Sequence, residues 1–259
     1  MPTPALGLIS HGTSSPEGQA VITALAEAVA ADVRQRGIAD TVILGHVDVQ
    51  TPDVAEVLRR LPADRPSVLV PLLLSPGYHV HVDLAEAVTA AGGPAPDHSA
   101  PDNVLPDGTG PASTAVRDIR VAGTLGPDPR LAELLAQRVG SLGADDEVVL
   151  VAAGSSDERA NDASRAVGRL LADRLGRPVQ TAFLAGEHDN LRDIVEQKSH
   201  LGERLVVANL LLAPGYFDDL ATRLVGGAGG RLADPLLHST SPASPLLVDI
   251  VRDRMMAVL

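Results

Sequence analysis

Residues 71–78, PLLLSPGY, recur at 209–216 as NLLLAPGY, with six of eight positions identical. A second pair keeps nearly the same offset: LISHGTSS from Leu8 parallels LVAAGSSD from Leu150. Each is an apolar run that stops at a Gly-Ser/Thr turn before a helical pattern. Offsets of 138 and 142 residues mark an internal duplication, the first thing to settle because missing it misassigns the whole fold. A weaker third pair aligns RVAGTLGPDPRLAELLAQRV from Arg120 with RLADPLLHSTSPASPLLVDIVRDRM from Arg231 at an offset of only 111. The shortfall places an insertion in the first half, and the Gly/Pro/Asp-rich stretch 92–116 has the composition of a mobile surface loop, with His98 solvated within it.

Around these anchors each half alternates short apolar strands with amphipathic helices. In the first half strands are expected at 6–10, 42–49 and 67–74, and helices at 19–36 (closed by Gly37), 52–61 and 82–91. The second half repeats the order with strands at 148–153, 179–184 and 205–212 and helices at 160–175, 189–201 and 218–224. Continuous apolar strands separated by helices imply parallel sheets covered on both faces. The expected architecture is α/β: two similar domains, 1–142 and 143–259, facing each other across a cleft. Ligands of open α/β sheets bind outside the carboxyl ends of the strands, so function belongs in that cleft.

Composition narrows the chemistry. The chain of 259 residues has a formal net charge of −12, no Cys or Trp, two Tyr and two Phe. Such a charge opposes a phosphate backbone and so few aromatics give little for bases to stack on, which argues against nucleic acid. Without thiolates, a metal must be held by His, Asp, Glu or backbone oxygen. No apolar run approaches a membrane span and no basic segment precedes the short first run, so a cytoplasmic protein is expected.

Two histidines stand at expected strand ends: His11 after 6–10, and His79 after 67–74 and the turn ending Gly77-Tyr78. The second half carries Ala153 and Phe217 at the equivalent positions while keeping the turns. The fold therefore does not require imidazole there, which favours chemistry over structure. Neutral imidazole binds first-row divalent metals and titrates near neutral pH, and two such ligands leave a coordination shell open for delivery.

Asp48 is a candidate carboxylate for the same edge, or an acid near the start of the next helix. His46, two residues earlier, either reaches the cleft or is a satisfied buried histidine. Asp83 reads as a helix cap, His81 is a further possible site member, and His188, His200 and His238 read as surface residues. The turns Gly12-Thr13-Ser14 and Gly154-Ser155-Ser156 offer backbone N–H groups at helix starts, suited to a phosphate or a propionate. Ser10-His11-Gly12 lacks the Arg that accompanies a phospho-accepting His, and no G-x-S-x-G elbow supports a serine hydrolase.

Taken together, the His-Gly-Thr turn at His11, Asp48 through Pro52, VPLLLSPGYHVHVD, LGPDPRL from Leu125 and GSSDERAN from Gly154 resemble the sirohydrochlorin and cobalt chelatase family across both halves. Two positions depart from its pattern: the usual Glu of the second strand is Asp48, and the usual HGS-Arg is His11-Gly12-Thr13-Ser14. The resemblance implies insertion of Fe2+ or Co2+ into the acidic tetrapyrrole sirohydrochlorin, without ATP or an organic cofactor, for siroheme or cobalamin synthesis. Ni2+ and Zn2+ are also compatible with such ligands. It further implies that His11 and His79 bind the metal and help remove the pyrrole protons, while Gly12, Ser14, Asp48, Gly77 and Tyr78 lie around the tetrapyrrole. Arg117, Arg120 and Arg159 are the candidate partners for its carboxylates. The rival readings are a non-catalytic metal or tetrapyrrole carrier and a phosphate-ester hydrolase using His11. A duplicated chain supplies both walls of its cleft, so a monomer is expected.

Overall fold

The computed structural model describes residues 3–75, 78–93, 117–186, 188–241 and 243–259, with the backbone alone for 78–83. The first half runs β1 (Ala5–Ser10), α1 (Pro16–Gln35), β2 (Val42–His46), α2 (Val54–Arg60), β3 (Ser67–Pro71), α3 (Tyr78–Ala90), β4 (Ile119–Val121) and α4 (Pro129–Val139). The second runs β5 (Glu147–Ala152), α5 (Glu158–Leu175), β6 (Val179–Phe183), α6 (Leu191–Gln197), a 3-10 turn (Ser199–Arg204), β7 (Leu205–Leu210), α7 (Tyr216–Gly227), β8 (Arg231–Leu232) and α8 (Pro245–Met256). Two four-stranded parallel sheets result, ordered β2-β1-β3-β4 and β6-β5-β7-β8. Equivalent strands keep equivalent registers: Ser10 lies opposite His46, and Ala152 opposite Phe183.

The helices start where the sequence supplies oxygen acceptors for their first N–H groups. Ser15 caps α1 by accepting from Gly18, Asp53 caps α2, Asp128 caps α4, Asp157 caps α5 and Asn190 caps α6. Pro16, Pro129 and Pro245 stand in first turns, where a missing N–H costs nothing.

Strand alternation then divides the core. The outer face of the first sheet (Ala5, Ile9, Leu69) packs with Val57 and Leu58 of α2, and that of the second (Val149, Val151, Val207) with residues of α6 and α7. The inner faces (Leu6, Leu8, Val68, Val70 and Leu150, Val206, Ala208) share one continuous cluster with α1, α4, α5 and α8. The terminal helix of each half lies on the other half: α4 against α5 and β7, α8 against α1 and β3. Leu131, Leu134, Leu135 and Val139 of α4 are fully buried in this way, each contributing about 1.5–3 kcal/mol. The two sheets are thus held facing each other with their carboxyl ends along one cleft.

Several element ends differ from expectation. β2 stops at His46 rather than running to 49, because the chain turns through Val49 at φ 66°, a left-handed conformation held by an Asp48 Oδ1 bond from the Val49 N–H (2.7 Å). β3 ends at Pro71, and α3 begins at Tyr78 rather than 82, which puts Asp83 inside the helix rather than at its cap. The expected helix at 189–201 breaks into α6 and the 3-10 turn, where Gly202 adopts φ 56°. The stretch 94–116, with His98, lies outside the described residues. No helix among the described residues is long and apolar enough to cross a membrane.

Candidate active site

His11 follows β1 directly and its position is set by the backbone. The N–H of Val47 donates to the Ser10 carbonyl (2.9 Å) and that of Asp48 to the His11 carbonyl (3.0 Å), extending the β1–β2 pairing past the strand end. The second half repeats this with Leu184 to Ala152 (3.0 Å) and Ala185 to Ala153 (2.9 Å). Gly12 then turns away at φ 96°, where a Cβ would lie 1.9 Å from the Asp48 carbonyl oxygen. Gly154 does the same at φ 85°, with a Cβ 2.1 Å from the Ala185 oxygen. Only glycine fits either turn.

Below His11, the Ser10 hydroxyl and His46 Nδ1 are 2.8 Å apart and both residues are buried. Burial lowers the pKa of His46, so the ring is neutral near pH 7. His46 is therefore a satisfied interior group. Its counterpart Phe183 fills the same place as an apolar ring with the Arg165 guanidinium 5.3 Å from its centroid.

The cleft between the sheet edges has a volume of about 600 Å3. His11, Gly12, Thr13 and Ser14 line one side, and Ala153, Gly154, Ser155 and Ser156 the other. Leu72–Leu74 and Leu210–Leu212 form an apolar floor, and Tyr216, Phe217 and Asp218 close the second-half wall. Tyr216 is 72% exposed and meets Phe217 edge to face, ring centroids 5.4 Å apart.

The remaining expected site residues fall in different places. His79 and Tyr78 occupy the first turn of α3, as Phe217 and Tyr216 do in α7, and their side chains, like that of His81, lie outside the description. Gly77 lies outside the described residues. Asp48 is exposed, spends Oδ1 on Val49, and is not part of the cleft lining; Asp53, not Asp48, caps α2.

The turn N–H groups are also less free than the sequence suggests. Thr13 N–H donates to Gln50 Oε1 (2.9 Å) while Gln19 Nε2 donates to the Thr13 carbonyl (2.8 Å). Across the cleft Asn161 takes both roles, accepting from Ser155 N–H (3.0 Å) and donating to its carbonyl (2.9 Å). Gln19 and Asn161 are equivalent in the repeat, a signal the sequence contained.

None of the three candidate arginines lines the cleft. Arg117 donates to carbonyls of Leu58 and Leu61, Arg120 to Asp118 and the carbonyls of Val258 and Leu259, and Arg159 pairs with Asp157. Each guanidinium is aimed at the fold's own acceptors. His188 and His200 are exposed, whereas His238 is partly buried against Thr240. Among the described residues no three His, Asp or Glu side chains group as metal ligands.

LGPDPRL is structural in this chain, whereas GSSDERAN supplies cleft wall through Gly154, Ser155 and Ser156 and caps α5 with Asp157. Leu125 N–H binds the Leu73 carbonyl (2.8 Å) and a Cβ on Gly126 would meet the Leu74 oxygen at 2.5 Å, so this loop braces the cleft floor. Asp128 caps α4 and pairs with Arg130 and Arg254.

Two parallel sheets duplicated in one chain, joined by exchanged terminal helices and open along one carboxyl-end cleft, define the two-domain chelatase-type α/β fold. The chain belongs to the CbiX family, whose model matches residues 5–142 and 147–226. SirB from Bacillus subtilis with Fe3+ superposes with a TM-score of 0.74 at 17% identity, over 98% of this chain and 94% of that one. SirB from Bacillus subtilis subspecies spizizenii in complex with cobalt gives 0.73 at 16%, over 98% and 94%. CbiX, the terminal enzyme for biosynthesis of siroheme in denitrifying bacteria, gives 0.64 at 20%, over 98% and 99%. No curated protein sequence matches the chain.

Proposed function

We propose that this protein is a lyase that inserts Fe2+ or Co2+ into sirohydrochlorin without ATP, in siroheme or cobalamin biosynthesis. The observation that carries the reading is His11 in the cleft wall with Ala153 at the equivalent position opposite: the same rigid glycine turn, with an imidazole on one side only. CbiX membership, and structural relatives that bind cobalt and iron, support the same reaction.

His11 and His79 hold the incoming ion through neutral imidazole nitrogens and leave the rest of its shell open for ring nitrogens. The apolar floor and the Tyr216–Phe217 pair receive the flat macrocycle, with Gly12, Ser14, Gly77 and Tyr78 along its rim. Described cleft-lining residues include no Lys or Arg, so the macrocycle's carboxylates stay at the open mouth in water. Asp48 acts by holding the Val49 turn beside the cleft rather than by touching the ligand. Work as a monomer in the cytoplasm, with no organic cofactor and no nucleic-acid or membrane partner, belongs to the same proposal. Ni2+ and Zn2+ are competitors for the same imidazoles.

Cobalt spectroscopy tests the metal step. Adding Co2+ to the protein should produce ligand-field absorption bands in the wild type that weaken sharply in His11→Ala. Bands of equal strength in both would remove His11 from the metal site.

A further inference from the structure

Insertion breaks two pyrrole N–H bonds, and an imidazole bound to a metal has already committed its free lone pair. While His11 and His79 hold the ion, the protons need another acceptor. Asp218 is the one carboxylate among the described cleft-lining residues. We infer, on the chelatase reading, that Asp218 of the second half is the base that takes the pyrrole protons, and that Asn209 positions it.

The pair is a deliberate departure from the repeat. Asn209, in β7, has no solvent exposure and donates Nδ2–H to Asp218 Oδ1 at 2.8 Å, while its own Oδ1 is buried without a hydrogen-bond partner. The equivalents in the first half are Pro71 and Val80, neither of which carries a polar side chain. A buried, half-satisfied amide is unfavourable unless it serves something. Here it aims a carboxylate from the first turn of α7 into the cleft wall that lacks histidines.

The surroundings make that carboxylate a stronger base. Burial raises its pKa, the Asn209 bond opposes this, and the acidic groups Asp219 on its own helix, Asp234 after β8 and Glu17 on α1 raise it further. In each transfer the N–H bond breaks toward Asp218 and the nitrogen pair forms the bond to the metal, whose oxidation state does not change. The carboxylic acid then releases its proton to water, and two such transfers complete a turnover.

The test is anaerobic insertion of Co2+ into sirohydrochlorin, followed by absorbance. Asp218→Asn, nearly isosteric and still able to accept from Asn209, should lower kcat about 100-fold with KM changed by less than about twofold and the melting temperature retained. Asp218→Ala should regain rate on addition of formate, which a purely structural role would not allow. Asn209→Leu should move the acid limb of the kcat–pH profile upward, since the carboxylate loses its donor. A kcat for Asp218→Asn within about threefold of wild type, or no formate rescue, overturns the base. An unmoved acid limb overturns the positioning role. Wild-type insertion no faster than the free reaction removes the chelatase reading and this inference with it, an outcome visible before any variant is made.

Discussion

Gly12 faces the Asp48 carbonyl so closely that a Cβ would sit 1.9 Å from its oxygen, so the turn that follows His11 has room for glycine alone. The left-handed φ and the clash act together, so Gly12→Ala should lower the melting temperature by about 4–8 °C, from a cost of about 2 kcal/mol. Gly37 is the control: φ is 66° but nothing lies within 4 Å, so Gly37→Ala should cost about half as much. Thermal melts of the two variants compare them directly, and equal losses would contradict the close-approach argument.

The Ser10–His46 pair gives a pH-dependent contribution. The folded chain keeps His46 neutral because burial lowers its pKa, whereas the unfolded chain protonates it near 6.5. Stability from this group is complete above that pH and is lost as pH falls toward the folded value. The double variant Ser10→Ala/His46→Phe, copying Ala152 and Phe183, should fold and show a shallower fall in melting temperature between about pH 7.5 and 5.5. Parallel curves would exclude His46 as the source.

Asp128 ties α8 to the loop bracing the cleft floor. Burial would raise its pKa, but hydrogen bonds from Arg130 and the charge of Arg254 outweigh it and hold the carboxyl below its ordinary value. A depressed folded pKa stabilises above the unfolded carboxylate range and the benefit disappears as pH falls through the folded value. Asp128→Asn should therefore destabilise by about 2–4 kcal/mol at neutral pH, with the difference narrowing below about pH 4. Denaturant titrations at several pH values check this, and a constant difference would contradict it.

The exposed Tyr216–Phe217 pair should contribute binding rather than chemistry. Phe217→Ala is expected to weaken metal-free sirohydrochlorin binding about fivefold to tenfold while leaving the rate at saturation nearly unchanged. An absorbance titration measures the first and initial rates the second. Unchanged affinity would remove the ring from the macrocycle's surface.

The duplication made the architecture legible from two short motifs, because a repeated strand-turn-helix leaves its turn residues in sequence even where the rest diverges. His11 was visible for the same reason, as an imidazole where the copy has Ala153. Asn209 and Asp218 carry no sequence signal beyond Asn209 breaking an apolar run: their pairing spans β7 and α7, and only the fold brings the buried amide to the half-buried carboxylate. The arginines misled because charge alone does not reveal whether a guanidinium meets a ligand or, as with Arg117, the carbonyls at the end of α2. The bond from the Val49 N–H to the Asp48 carboxylate was not legible, because such a use of backbone geometry carries no residue pattern.

The most direct test is the anaerobic rate of metal insertion into sirohydrochlorin by wild type, His11→Ala and His79→Ala, each against the uncatalysed reaction. Wild type should be far faster than the free reaction, and either substitution should return the rate close to it. A wild-type rate equal to the uncatalysed one, with metal and tetrapyrrole still bound, would contradict the chelatase reading and leave a carrier built on the CbiX fold.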